Sequence, residues 1–317
     1  MKRTGSLVRR GWVLGLLAVM AACVSMRPEA ENEKPDQDKE ENKTVTEEEH
    51  RRPGHGFKDA DYARRLQELQ SDPPVEGLTW IVEKPFIVAG NQPSAIVRRH
   101  TVKTVRWATR MFRKHYFERY PDRIITIWLF GDSRSYRKAA KKITGREAGT
   151  PYGFCSDDTD SLIMNIATGG GTLVHEMFHA FVPANFEKCP SWFNEGVASL
   201  YEQCGKRNGM IVGYTNWRLE GLKTAIRGNK TITFKELSGT TSQQFYGSGS
   251  GMHYAQARYL CYYLQENGLL VKYYRSFREN VESDPTGYET LVEILGNPDM
   301  GKFQEQWEAW CLELRFP

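Results

Sequence analysis

Two histidines and a glutamate stand at a spacing that suits metal chemistry. His175 and His179 are four positions apart, and Glu176 directly follows the first of them. On an α-helix this spacing places both imidazoles on one face, about one turn apart, so that both can bind a single Zn²⁺ ion. Glu176 is rotated by about 100° from His175. It would lie near the metal, where it can act as the general base for an attacking water.

A catalytic zinc site needs a third protein ligand, and the residues after the two histidines leave several glutamates open. The position at which a third histidine would indicate the metzincin arrangement holds Asn185. Ser191 is expected to cap a new helix, which places Glu195 in its first turns, and this helix can cross back beside the first. Glu187, in the intervening loop, and Glu202, further along the same helix, are the alternatives.

The segment at 192–202 reads Trp-Phe-Asn-Glu-Gly-Val-Ala-Ser-Leu-Tyr-Glu. It resembles the Trp-Leu-Asn-Glu-Gly-Phe-Ala-Ser-Tyr segment of the aminopeptidase N-like gluzincins. From the strand before HExxH through the helical C-terminal part, the chain is similar to the bacterial gluzincin-like domains described as peptidase MA-like. The resemblance implies a zincin-like fold with one zinc ion per chain. It implies His175, His179 and Glu195 as the ligands and Glu176 as the base.

Aminopeptidase N-like enzymes bind the free amine of their substrate with a Gly-x-Met-Glu-Asn segment, which this sequence does not contain. An endopeptidase is therefore favoured over an exopeptidase. In the gluzincins a tyrosine or histidine from the downstream lobe donates a hydrogen bond to the developing oxyanion. Tyr254, at the start of a helix that follows the Gly- and Ser-rich segment 246–251, is the residue expected here. His253 is the alternative.

The elements that must position these residues predict an α+β fold, in which a small N-terminal mixed sheet with helices precedes a helical C-terminal lobe. Apolar runs and amphipathic periodicity indicate strands at 78–88, 124–130 and 161–166, and helices at 95–116, 133–142 and 172–182. Further helices are expected at 192–203, 216–226, 252–266, 270–281, 288–295 and 302–314. The active site is expected between lobes at about 57–182 and 183–317.

The N-terminus has the layout of an export signal, in which basic residues precede an apolar run at 11–22 that is too short to span a membrane as a helix. The run ends in Val-Met-Ala-Ala-Cys, which resembles a bacterial lipoprotein box. The resemblance implies removal of residues 1–22 and a lipid on Cys23 that holds the exported protein on a membrane of the cell envelope. An ordinary cleaved signal is the alternative.

Residues 23–56 are acidic and polar with almost no large apolar side chain, so they are expected to form a disordered tether. The tether precedes one metallopeptidase domain at 57–317. The formal net charge of +4 hides an asymmetry, with +5 in residues 1–28 and −5 in residues 29–52. Residues 53–317 carry +4 spread over a large surface, which argues against nucleic acid as a partner. Six cysteines occur without a CxxC pair, so a cysteine-based zinc site has no support. The five besides Cys23 can form one or two disulfides in an exported domain.

These features together predict a zinc-dependent endopeptidase of the bacterial cell envelope that acts on a peptide or protein substrate. The alternative from another class is a non-catalytic envelope lipoprotein that uses the zincin fold as a binding module. Glu176 argues against it, because a purely structural zinc has no use for a base. A zinc hydrolase of non-peptide amides is a third hypothesis.

Overall fold

The computed structural model describes residues 56–316, so the predicted signal sequence, Cys23 and almost all of the predicted tether lie outside it. The helices are α1 (Asp59–Ser71), α2 (Ser94–His100), α3 (Trp107–His115), α4 (Ser133–Thr144), α5 (Gly171–Asn185), α6 (Ser191–Leu200), α7 (Arg218–Arg227), α8 (Phe234–Ser238), α9 (Ser242–Phe245), α10 (Ser250–Glu266), α11 (Leu270–Asn280), α12 (Tyr288–Ile294) and α13 (Met300–Glu313). The strands are β1 (Thr79–Glu83), β2 (Phe86–Gly90), β3 (Ile125–Phe130), β4 (Gly153–Ser156), β5 (Ser161–Asn165), β6 (Cys204–Arg207) and β7 (Met210–Gly213). The predicted α+β class is confirmed. Among residues 56–316, none of the helices combines the length and hydrophobicity needed to cross a bilayer.

Five strands form a mixed sheet in the order β1-β2-β3-β5-β4. The three central strands run parallel, and β1 and β4 pair antiparallel at the two edges. Every residue of β2, β3 and β5 is buried, because helices cover both faces of the sheet. Burial on both faces explains why these strands appear in the sequence as continuous apolar runs rather than as an alternation.

The side chains of β3 show how the two faces of the sheet are covered. Ile127 and Leu129 point into the large core that also contains the apolar residues of α5. Trp128 and Phe130, which alternate with them, pack against α4 through Tyr136 and its neighbours. The sheet therefore holds α5 against one face, which is the helix that carries both predicted histidine ligands.

Two details of the N-terminal half differ from the sequence prediction. The single strand predicted at 78–88 is wrong, since the chain turns at Lys84-Pro85 and forms the hairpin of β1 and β2. Glu83-Lys84-Pro85 interrupts the apolar residues at this turn, a break that the prediction of one strand passed over. The helix predicted at 95–116 is confirmed as one rod, although its middle part, Thr101–Arg106, is π-helical and joins α2 to α3.

The sequence prediction of a purely helical C-terminal half is wrong, because this half also contains two strands. The predicted helix at 192–203 ends at Leu200, and β6 and β7 then form an antiparallel hairpin. Its turn is Asn208-Gly209, with φ of 53° and 75°. An Asn-Gly pair is a strong sequence signal for a tight hairpin turn, and the helical interpretation passed over it.

The five cysteines in the described part of the chain are Cys155, Cys189, Cys204, Cys261 and Cys311, and all are free. The expected disulfides are therefore not formed among them. Cys261 and Cys311 are buried and pack as small apolar side chains in the large core.

Candidate metal centre

The rotation of α5 about its axis is set by aromatic packing. Phe178 and Phe181 are buried, with their ring centroids 5.5 and 6.3 Å from that of Phe112 in α3. His175 and His179 are four residues apart, on a different flank of the helix, which faces α6. Packing of the phenylalanines thus determines where the imidazoles point.

The helix that follows brings a carboxylate to the two imidazoles. Glu195 lies in the middle of α6, and its side chain is 2% exposed. The predicted capping role of Ser191 is wrong, because Pro190 occupies the N-cap position and the Ser191 hydroxyl is hydrogen-bonded to that of Ser242. The placement of Glu195 early in a helix that crosses beside α5 is nevertheless confirmed.

Helix α6 is enclosed on its other side by α10, and a glycine allows the close approach. A methyl group on Gly196 would lie 3.0 Å from the Cys261 sulfur and 3.1 Å from the Ala257 carbonyl oxygen. Both contacts are tighter than ordinary van der Waals packing allows. The residue after Glu195 must therefore be small for α6 to remain between α5 and α10.

The atoms of three side chains converge on one point. The Nε2 atoms of His175 and His179 are 3.0 Å apart, and Glu195 Oε2 lies 3.3 Å from the first and 3.4 Å from the second. A tetrahedral zinc ion with bonds of about 2.0–2.1 Å separates neighbouring ligand atoms by about 3.3–3.4 Å. Glu195 Oε2 is buried and has no hydrogen-bond partner in the described part of the chain. The group is buried and could bind a metal ion.

The other ring nitrogen of each histidine faces an oxygen atom. His179 Nδ1 is hydrogen-bonded to Asn194 Oδ1 at 2.9 Å, and His175 Nδ1 is 3.6 Å from Glu202 Oε1. Such outer contacts orient a ligating imidazole and leave its Nε2 lone pair for the ion. Glu202 therefore faces the outer nitrogen of His175 and is not part of the cluster, and Glu187 is exposed in the loop before α6, also outside the cluster.

Several ionisable side chains lie around the cluster. Glu176, Glu195 and Glu202 are the carboxylates, Arg218 is paired with the last of them, and Arg258 is a second buried cation. Burial opposes ionisation of Glu195, but the two histidines outweigh it and hold the pKa of that carboxyl well below its usual value. Burial likewise lowers the pKa of His179, but Glu195 outweighs it and raises that pKa to about 9. A divalent ion at the cluster would take the place of the proton on His179 as the positive charge beside Glu195.

Glu176 is placed beside this cluster but is not part of it. Its side chain is buried at 7% exposure and makes no hydrogen bond or ion pair with any residue in 56–316. Burial raises the pKa of its carboxyl group, which the neighbouring histidines counteract only partly. A carboxylate without structural partners and with a raised pKa suits proton transfer.

Two tyrosines, rather than one, approach the cluster from the C-terminal half. Tyr246 donates a hydrogen bond to Glu195 Oε1 at 2.8 Å, a contact that the sequence analysis missed. Tyr254, the predicted oxyanion donor, is 9% exposed, and its hydroxyl has no hydrogen-bond partner in the described part of the chain. Burial, and then the charge of Glu195, raise the pKa of Tyr254 well above its usual value, so its hydroxyl stays protonated. His253, the alternative, is hydrogen-bonded through Nδ1 to the backbone carbonyl of Phe245.

A cavity of about 440 Å³ opens beside the start of α5. Val174 and Glu202 line it, but none of the three converging residues does. Glu176 does not line it either. Comparison with known protein families and with curated proteins finds no match for this chain.

Proposed function

We propose that this chain is a zinc-dependent peptide-bond hydrolase, an endopeptidase with a zincin-like active site. The observation that carries the proposal is the convergence of His175 Nε2, His179 Nε2 and Glu195 Oε2 within 3.4 Å, with Glu176 buried beside them. Two imidazoles and one carboxylate are a common ligand set of catalytic zinc, which keeps a further position open. The three residues would hold one zinc ion per chain.

Zinc in this position would polarise the substrate carbonyl and lower the pKa of a water molecule. Glu176 accepts the proton of the attacking water, since its carboxylate is adjacent and forms no competing contact. Its raised pKa favours acceptance of that proton, which then passes to the leaving amine. A purely structural metal site, the alternative hypothesis, gives Glu176 no role.

The two tyrosines would have separate roles in this reaction. Tyr246 holds Glu195 in place through the 2.8 Å hydrogen bond to its Oε1, which leaves Oε2 for the metal. Tyr254 keeps a protonated hydroxyl without an internal partner, so it can donate to the oxyanion as charge develops there.

An edge of the sheet supports a peptide as the substrate. β4 is paired with β5 alone among the described strands, so its other edge offers backbone groups to an added strand. β4 packs against α5, the helix that carries Glu176. An extended peptide paired with this edge would pass close to the proposed base, which fits cleavage within a chain.

The test is cleavage-site mapping on a complex peptide mixture with the zinc-loaded protein. We expect Glu176→Gln to retain zinc and to lose about 10²–10⁴ in rate. Glu187→Gln is the matched control, because this glutamate is exposed and outside the cluster. Undiminished cleavage by a zinc-loaded Glu176→Gln protein would contradict the mechanism. Zinc binding without cleavage of any peptide by the unmodified protein would favour the binding-module hypothesis.

A further inference from the structure

Arg218, in the first turn of α7, forms a two-point ion pair behind the metal cluster. Its Nε and Nη2 atoms donate to Glu202 Oε2 and Oε1 at 3.1 and 2.8 Å. Asn216 Nδ2 donates to the same carboxylate at 3.0 Å. The Glu202 side chain is 8% exposed and that of Arg218 is 22% exposed. A two-point contact fixes the plane of a carboxylate as well as its position.

The fixed carboxylate faces one of the metal-binding histidines. Glu202 Oε1 lies 3.6 Å from His175 Nδ1, a buried nitrogen with no hydrogen-bond partner in residues 56–316. This separation exceeds that of a hydrogen bond, but only a small movement of the imidazole would close it. Arg218 thus determines where the acceptor for His175 stands.

The same guanidinium group also contacts the proposed oxyanion donor. Its central carbon is 5.0 Å from the ring centroid of Tyr254, within the range of a cation–π contact. One side chain therefore contacts both Glu202, the carboxylate that faces His175, and the ring of Tyr254.

We propose that Arg218 is a positioning residue that aligns His175, through Glu202, and the ring of Tyr254 in one arrangement. The inference rests on the proposed function, because it gives both partners their roles in zinc binding and in oxyanion stabilisation. Arg218 itself is neither a proposed zinc ligand nor the proposed base Glu176 nor the proposed oxyanion donor Tyr254. Loss of Arg218 should therefore weaken zinc binding and, independently, slow turnover of the zinc-loaded protein.

Zinc affinity, measured by competition with a chromogenic chelator, tests the first part. We expect Arg218→Gln to bind zinc about 10–100-fold more weakly, the usual effect of removing an outer partner. Arg207→Gln is the matched control, since Arg207 makes the same two-point contact with Glu266, at 3.2 and 2.7 Å, in a more exposed pair. Unchanged zinc affinity in a folded Arg218→Gln protein would overturn the inference.

A double-mutant cycle shows whether Arg218 acts through Glu202. Glu202→Gln should weaken zinc binding similarly, and the protein with both changes should be little worse than either alone. Losses that multiply in the double variant would overturn this route. Arg218→Lys is the second variant, for use if Arg218→Gln does not fold. It keeps the positive charge beside Glu202 but loses the planar two-point contact, so it should fold and still bind zinc more weakly.

The kcat of fully zinc-loaded proteins tests the second part. Arg218→Gln should lose more kcat than Glu202→Gln, because only the former removes the contact with the Tyr254 ring. This additional loss should vanish when Tyr254 is Phe in both proteins, and equal kcat values would overturn the link to Tyr254. Zinc affinity can be measured without turnover, so failure of the inference and failure of the proposed function can be told apart. If the unmodified protein cleaves no peptide but Arg218→Gln weakens zinc binding, the proposed function is contradicted and the role of Arg218 in zinc binding is not. If the unmodified protein is an active enzyme but Arg218→Gln leaves zinc affinity unchanged, the role of Arg218 is contradicted and the proposed function is not.

Discussion

Tyr246 and Tyr254 stand near the same buried carboxylate but use their hydroxyl groups differently. The Tyr246 hydroxyl donates a hydrogen bond to Glu195, whereas the Tyr254 hydroxyl has no hydrogen-bond partner among residues 56–316. The ring of Tyr254 packs against Phe245 and Tyr246, with centroids 5.1 and 6.3 Å away. Removing each hydroxyl should therefore affect a different property of the protein.

We expect Tyr254→Phe to lower kcat by about 10²–10³ with little change in KM, because the hydroxyl would bond mainly to the transition state. Phe fills nearly the same volume, so zinc content and thermal stability should stay close to those of the unmodified protein. Steady-state kinetics and thermal melting on one preparation check this. Tyr246→Phe is the comparison, and it should weaken zinc binding because it frees Glu195. An unaltered kcat in Tyr254→Phe would return oxyanion donation to His253.

Among the elements, the start of α5 is held against the end of the following helix. Gly171 is the first residue of α5, and a methyl group there would lie 1.8 Å from the carbonyl oxygen of Glu202. No rotation of a side chain can relieve this contact, because the obstacle is backbone. The histidine helix and the residue that faces His175 are thus packed directly together at one point.

Gly171→Ala should separate α5 from Glu202, lower the melting temperature and weaken zinc binding, since overpacking of this kind costs about 1–3 kcal/mol or more. Gly221→Ala is the matched control, because Gly221 lies inside α7 with no atom within 4 Å of the added methyl. There alanine should stabilise the helix by up to about 1 kcal/mol. Thermal melting with chelator competition measures both effects. Equal stability and zinc affinity in the two variants would show that the contact at Gly171 does not matter.

For the molecule as a whole, the cluster lies between two helices that also meet through apolar packing and the hydrogen bond between His179 and Asn194. α5 supplies both histidines and packs on the sheet, whereas α6 supplies Glu195 and packs on α10. A bound ion would therefore link the sheet-containing half to the helical half. It would also neutralise the buried carboxylates that face each other across this boundary.

Metal removal should accordingly lower the melting temperature of the whole domain. Free zinc at about 100 times its Kd should add about 2.7 kcal/mol to the free energy of unfolding, provided that the unfolded chain does not bind it. Calorimetry with and without chelator measures the difference. Glu195→Ala should lose most of this zinc dependence, while Glu187→Ala should keep it. A melting temperature indifferent to zinc in the unmodified protein would contradict a site that spans both helices.

Membrane attachment concerns the segment outside the described residues and remains a prediction of the sequence. Cys23→Ala should abolish fatty-acid labelling and release the protein from membranes, because the cysteine would carry the lipid. Membrane fractionation with labelled fatty acid tests this, with Cys311→Ala as the control. Membrane association of the Cys23→Ala protein, with no label on the unmodified one, would leave an ordinary signal sequence.

Local spacing was enough to predict much of the site. The i, i+4 relation of His175 and His179 places two imidazoles on one face of any helix, so no knowledge of the fold is needed. The buried strands β3 and β5 were equally predictable, because their apolar runs lie between polar turns. Glu195 required more than spacing, since Glu187 and Glu202 were chemically equivalent until the resemblance of the surrounding segment implied one of them.

The remaining parts of the site depend on contacts between residues far apart in the chain. Tyr246 bonds to Glu195 across 51 positions, and Arg218 reaches Glu202 from another helix. No periodicity records such pairs, because they arise from how α6, α7, α9 and the segments that follow α6 and α9 pack. The sequence by itself determined which side chains can bind a metal on one helix. The tertiary structure brings Glu195, the carboxylate that the resemblance implied, to these side chains. It alone decided which residues hold that carboxylate there, since burial and pairing are properties of the packed core.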